Sequence, residues 1–217
     1  MAGRSDDDEA FRGFPAAALE FFDDLEADNT KEWFHAHRDV YDRAVKAPMA
    51  ALVQELEPEF GPMTLSRPNR DVRFARGRGP YKLEVYARSR RHDGAGWYVQ
   101  LMADGLFAGG GIYMPDREQL ARLRAAIADD RTGAELVDVV AGLEADGVEL
   151  MRDGALRTAP RGWPADHPRI ELLRLVHLAG GRRFPVRRWL HTAAARDRVV
   201  ETWRSLQPLV DWIGANV

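Results

Sequence analysis

Between Ser66 and Lys82 the chain reads Ser-Arg-Pro-Asn-Arg-Asp-Val-Arg-Phe-Ala-Arg-Gly-Arg-Gly-Pro-Tyr-Lys. Six cations (Arg67, Arg70, Arg73, Arg76, Arg78 and Lys82) stand against one carboxylate, Asp71. Arginine presents a planar fork of donors that matches the oxygens of a carboxylate or phosphate. Gly77 and Gly79 lack a Cβ, so backbone N–H groups beside them can approach an anion closely. The chemistry these types and spacings favour is capture of a small anion. Arg70, Arg73, Arg76, Arg78 and Lys82 would bind it, Asp71 would orient an arginine, and Tyr81 would line the wall. The spacing is not that of a phosphate loop, because Gly-x-x-x-x-Gly-Lys-Ser/Thr does not occur. The competing reading is structural: Arg70 and Arg73 pair with carboxylates such as Asp71 and Glu32, and Arg76 and Arg78 are solvated.

If 70–74 is extended, Val72 and Phe74 share the core face and Asp71 and Arg73 share the other, about 7 Å apart at Cα. From Arg67 to Arg91 nine Lys/Arg face only Asp71 and Glu84, a local charge of +7 in a chain whose net charge is −3. An alternative function follows from that run: a nucleic-acid or protein interaction module using the basic stretch 67–91. Arg88, Arg90 and Arg91 would form a track for phosphates. Arg182, Arg183, Arg187 and Arg188 make a second cluster beside Trp189. No recognised nucleic-acid motif accompanies either cluster, and the acidic overall balance argues against strong binding.

Other chemistries find less support. Asp166-His167-Pro168 places a carboxylate beside an imidazole. Asp71 and His167 are the candidate acid/base groups should a reaction follow binding. A helix cap by Asp166, with His167 in the first turn, explains the same residues more simply. No Gly-x-Ser-x-Gly elbow is present. The chain contains no cysteine, which excludes disulfides, thiolate zinc sites and cysteine nucleophiles. The six histidines are scattered, and His35 and His37 fall on different helix faces. No metal is expected. Gly109-Gly110-Gly111 is not followed by the spacing of a dinucleotide site, and no cofactor is expected. Glycines inside a strand instead predict close packing of another backbone or side chain.

These residues must be positioned by a fold of mixed class. Residues 1–10 are acidic and read as a disordered tail. They lack the features of a signal peptide, and no apolar run reaches bilayer length. A cytoplasmic protein with no membrane association is expected. Pro15 fits the start of an amphipathic helix carrying Phe14, Ala18, Phe22 and Leu25. Asn29, with Glu32 three residues on, reads as the capping box of a second helix. Pro48 should interrupt or kink it, and Pro58 should end it. Alternation then predicts strands around 83–88, 97–102 and 106–114, with Asp104-Gly105 as a hairpin turn. Phe74 is a candidate end of a further strand.

Asp116 should cap a helix containing Leu120, Leu123 and Ile127. Another helix should run from about Thr132 to Glu144. Asp153-Gly154 reads as a small hairpin between 148–151 and 155–157. Asp166 should cap a helix with Ile170, Leu173 and Val176, and Gly180-Gly181 should precede the last helix, from about Thr192 towards Ile213. Together these predict one α+β domain over 11–217, with a central antiparallel sheet (about 70–114) and helices before and after it.

Several stretches carry a resemblance. They are Asn29-Thr30-Lys31-Glu32-Trp33-Phe34, Arg70-Asp71-Val72-Arg73-Phe74 and Pro80-Tyr81-Lys82, then Gly109-Gly110-Gly111 with Pro115, Pro160-Arg161-Gly162 and Asp166-His167-Pro168. Collinearly from about Phe11 to the C-terminus, they resemble the bacterial and fungal family catalogued as domain of unknown function 2461. The resemblance implies no established activity. Members of that family usually place a serine and an Asp-Lys pair between the Phe and the Pro, where this chain has Ala75-Arg76-Gly77-Arg78-Gly79. The loss of a carboxylate and gain of a cation make this stretch more anion-seeking than the resemblance alone implies.

Overall fold

The computed structural model describes residues 10–71, 79–89 and 94–217. The acidic tail up to residue 9, the strand end at Phe74, the placement of Arg73 beside Asp71, and Arg76, Arg78, Arg90 and Arg91 lie outside the described residues.

Helix α1 spans Ala16–Ala27 and turns Ala18, Leu19, Phe21, Phe22 and Leu25 inward. Pro15 stands at its N-cap, where a missing N–H costs nothing. Helix α2 is Lys31–Ala36, and its cap is Thr30, whose hydroxyl accepts the N–H of Trp33 at 3.1 Å. The expectation that Asn29 caps it is therefore corrected, because Asn29 is engaged elsewhere. Helix α3, Arg38–Val40, runs through a π-helical turn, Tyr41–Lys46, into α4, Ala47–Phe60. Pro48 does not interrupt this run. The turn before it widens to π geometry, which relieves the bond and space that proline denies an α-helix. Pro58 does not end it either, since in the last turn it forfeits a single bond. Gly61, at φ 82°, makes the stop and donates its N–H to Glu57 at 2.9 Å.

Among the described residues there are six strands: β1 Thr64–Leu65, β2 Glu84–Arg88, β3 Gly96–Met102, β4 Gly105–Ile112, β5 Glu149–Leu150 and β6 Leu178–Pro185. They form one antiparallel sheet in the order β1-β2-β3-β4-β6-β5. With helices before and after the central meander, the fold class is α+β. The sheet extends beyond the expected 70–114 at both edges. Thr64 pairs with Arg88 on one edge, and Leu150 pairs with Gly180 on the other. Residues 148–157 do not form the expected hairpin. Asp153-Gly154 closes a turn through Ala155 N–H to Arg152 O at 3.1 Å, but Leu156 then donates to Arg174 O and β5 pairs with β6. Gly180 permits this, since a Cβ there would sit 2.9 Å from the Glu149 carbonyl.

The chain divides into two compact units. The first is Met1–Ser89, Tyr98–Ala108 and Arg183–Val200; the second is Arg90–Trp97, Gly109–Arg182 and Glu201–Val217. In the first, Phe14, Phe22, Leu25, Phe34, Met49, Leu52 and Leu56 are buried, as are Val85, Ala87, Val99 and Leu101 from the strands. In the second, helix α5 (Arg117–Ala128) opens on Asp116, the cap that the sequence predicts, and the structure adds a capping box with Gln119. It is followed by α6 (Asp130–Ala145) and the short α7 (Ile170–Leu173). Helix α8, Ala194–Asn216, belongs in part to each unit, and its Val199, Val200, Trp203 and Leu206 are buried. The triple glycine does what close packing requires. A Cβ on Gly110 would lie 2.8 Å from the Trp97 ring, which stacks on Trp203 at 5.5 Å. Gly111, at φ 123°, would meet the Leu178 carbonyl at 2.4 Å. Among the described residues, no helix is long and apolar enough to cross a membrane.

Candidate functional site

The two flanks of the arginine-rich stretch are tied together. Arg70 N–H donates to Pro80 O at 2.7 Å, and Lys82 N–H donates to Pro68 O at 2.9 Å. Asn69 and Tyr81 form an antiparallel bridge between them. Asn29 then serves both backbone groups of Tyr81: its Oδ1 accepts the Tyr81 N–H at 3.0 Å, and its Nδ2 donates to the Tyr81 carbonyl at 3.1 Å. The side-chain amide thus acts as one rung of an added strand. Gly79 makes room for it, because a Cβ there would fall 2.3 Å from Asn29 Cγ. With Thr30 capping α2, the Asn29 side chain is left to reach across.

Packing secures the same point. The Tyr81 ring is 4 % exposed and stacks on Phe34 at 3.9 Å and 10°. Phe34 in turn meets Tyr41 at 5.3 Å and Phe21 at 6.1 Å. Trp33 stacks on His37 at 4.0 Å. The Tyr41 phenol is pushed up to about 12 by burial first, with Asp42 adding to the shift and Arg38 opposing it. It stays protonated at neutral pH and acts here as core.

The residues singled out from sequence are placed as follows. Arg70 is half-buried, with its backbone in the bridge, and Asp71 is exposed. The Tyr81 ring faces the aromatic core. Lys82 Nζ donates to the Arg67 carbonyl at 2.7 Å and lies 5.0 Å from the Tyr86 ring centre. His167 belongs to the other unit, where its Nδ1 accepts the Arg169 N–H at 3.0 Å and its ring meets Trp163 edge-on at 6.1 Å. Asp166 is exposed and does not cap a helix. Helix α7 begins only at Ile170, after Arg169, with no side-chain cap. His167 takes the donor that a cap would have taken.

The residue that sequence reasoning missed in this motif is the next one, Arg169. Its side chain is 12 % exposed. Nε donates to Ile127 O at 2.6 Å, and Nη2 to Ala128 O at 2.7 Å and Asp129 O at 3.1 Å. These carbonyls close helix α5, where intrahelical partners run out. Asp129 opens α6 by accepting N–H bonds from Thr132 and Arg131, and the Thr132 N–H first, then the Thr132 hydroxyl, with a smaller part from Arg131, hold its carboxyl below the usual carboxylate range. Gly133 admits the guanidinium, since a Cβ there would lie 2.5 Å from Nε. No local pattern marks an arginine for such a task. The signal was its adjacency to Asp-His-Pro.

His177 is a buried titratable group of the second unit, 5 % exposed. Its Nε2 has no hydrogen-bond partner among the described residues, and the Tyr113 ring stands 5.1 Å away. Burial lowers its pKa, and the charge of Asp153 works in the opposite direction. A depressed folded value means that the unfolded chain takes up the proton first. The stability associated with neutral His177 is therefore complete above about pH 6.5 and is lost as pH falls below it. Urea unfolding at pH 7.5 and 5.5 is expected to show a smaller loss for His177→Phe than for the parent chain. Equal losses in both would remove His177 from the account.

Among the described residues, no group of three or more His, Asp or Glu side chains is placed to hold a metal ion. No curated protein and no solved structure matches the chain. A family model does match, over residues 17–212, described as a conserved hypothetical protein, DUF2461. That match covers the Asn29–Tyr81 clamp, the glycines of β4 and the Arg169 latch alike, and the chain belongs to the DUF2461 family.

Proposed function

We propose that the chain is a cytoplasmic protein that binds a small phosphate- or carboxylate-bearing ligand at its arginine-rich stretch. The observation that carries the reading is the closed base at Arg70 and Pro80, 2.7 Å apart through one backbone hydrogen bond. Arg73, Arg76 and Arg78 lie between those anchors in sequence, and that is where the ligand would be held. Arg70 and Lys82 flank that place. A ligand's negative charge would offset their mutual repulsion, and arginine forks would grip its oxygens. Asp71 would orient one guanidinium.

Inorganic phosphate, compared with chloride at equal ionic strength, should raise the melting temperature. At one hundred times Kd the stabilisation is about 2.7 kcal/mol, roughly 5–10 °C for a chain of this size. Arg73→Lys should keep the unliganded melting temperature and lose most of the shift, because an ammonium cannot reproduce the fork. An undiminished shift in that variant would remove Arg73 from the site. No shift with phosphate or with a dicarboxylate would overturn the reading.

A further inference from the structure

The solvent side of the meander carries a row of aromatic rings that the anion site does not use. In β2, Val85 and Ala87 are fully buried while Tyr86 between them is half-buried. The β2–β3 register sets Glu84 opposite Met102, Tyr86 opposite Gln100 and Arg88 opposite Tyr98. Alternation therefore puts Tyr86, Arg88, Tyr98 and Gln100 on one face. The rings continue across strands: Tyr86 to Tyr98 at 5.3 Å, and Tyr98 to Phe107 of β4 at 6.2 Å. Each end of the row carries a cation. Lys82 Nζ sits 5.0 Å from the centre of Tyr86, and the Arg183 guanidinium 5.8 Å from that of Phe107.

The charges favour one kind of partner. Glu84 is held by Gln100 at 3.0 Å, and Asp104 lies 4.0 Å from Arg183. Lys82, Arg88 and Arg183 outnumber these two carboxylates, and in sequence the stretch 67–71 adds Arg67 and Arg70 against Asp71. Flat rings in a row beneath cations match a ligand with flat faces on an anionic thread. An apolar protein partner would not use the cations, and a mineral anion would not use the rings. We propose that this face is a stacking platform for single-stranded nucleic acid: Lys82 and Arg183 swing off the Tyr86 and Phe107 rings to meet phosphates, with Arg88 between them, and bases take their place on those rings and on Tyr98. Duplex DNA hides its base faces and is the poorer ligand.

The test is fluorescence anisotropy of a labelled twelve-residue oligothymidylate, and of its ribo counterpart, with the full chain at low salt. Binding is expected to both, with the duplex of the same length bound more weakly. Tyr98→Leu and Phe107→Leu keep apolar bulk and should each weaken binding about fivefold or more. Arg183→Gln, on a side chain 63 % exposed, should leave the melting temperature unchanged and reduce the slope of log affinity against log salt by about 0.7. That variant keeps the test decisive should either leucine variant fold poorly. No binding at low salt, duplex bound as tightly as single strand, or an unchanged Arg183→Gln slope each overturns the proposal. Leucine variants that fold and bind like the parent chain do so as well. The outcome is separable from that of the anion site, which is read by phosphate stabilisation and by Arg73→Lys.

Discussion

Arg169→Ala is expected to destabilise the second unit by about 3 kcal/mol, as the sum of lost charge-assisted bonds and carbonyls left under-satisfied. The guanidinium serves three consecutive backbone carbonyls, Ile127, Ala128 and Asp129, within 3.1 Å. They stand at the negative end of α5, so the positive charge also meets the helix dipole favourably. The exposed pair with Asp130 at 3.4 Å adds little, because its carboxylate is in water. Truncation leaves a cavity beside Gly133 and an untied junction between α5 and α6. Arg169→Lys should recover only part of the loss, since a point charge cannot occupy the positions of Nε and Nη2 together. Trp212 donates its indole N–H to Thr132 O at 2.9 Å, in the first turns of α6, so it is the one of the chain's six tryptophans whose fluorescence, isolated by comparing the parent with Trp212→Phe during urea unfolding, reports this region. A loss below about 1 kcal/mol would mean that water replaces the guanidinium at those carbonyls.

What the sequence made legible was local. Asp116 announces the start of α5 because cap and helix adjoin in sequence. The alternation of Val85 and Ala87 with Tyr86 announces a strand with one buried face. The α+β class follows from such signals. What it hid depends on partners far along the chain. Gly180-Gly181 reads as a loop until β5 is found beside it, some thirty residues earlier, and a strand of two residues has no period to detect. Pro48 reads as a break unless the preceding turn widens. Asn29 and Thr30 are both good caps by type. Which one caps was decided by Tyr81, 52 residues away. At the site, charge was legible and placement was not. The spacing of Arg70 and Tyr81 gives no hint that their neighbourhood closes into a bridge, or that the tyrosine ring turns into the core.

That choice between neighbouring residues separates two effects cleanly. Thr30→Ala removes a cap bond to Trp33 N–H of 3.1 Å and is expected to cost about 1 kcal/mol. It should leave any phosphate-induced stabilisation intact, because nothing at Tyr81 changes. Asn29→Ala removes two part-buried bonds, at 3.0 and 3.1 Å, from the backbone N–H and carbonyl of a single residue. Its cost should reach about 2 kcal/mol, because the Tyr81 N–H and carbonyl both lose their partner. It also frees the base that holds Arg70 and Pro80 together, so the phosphate-induced shift should shrink in this variant. The ordering of stabilities, parent above Thr30→Ala above Asn29→Ala, comes from thermal or urea unfolding without ligand. The phosphate response, measured on the same three proteins, tests whether the clamp serves the site. A full response in Asn29→Ala would show that the clamp is a folding device alone, and the anion reading would then have to stand on the arginines without it.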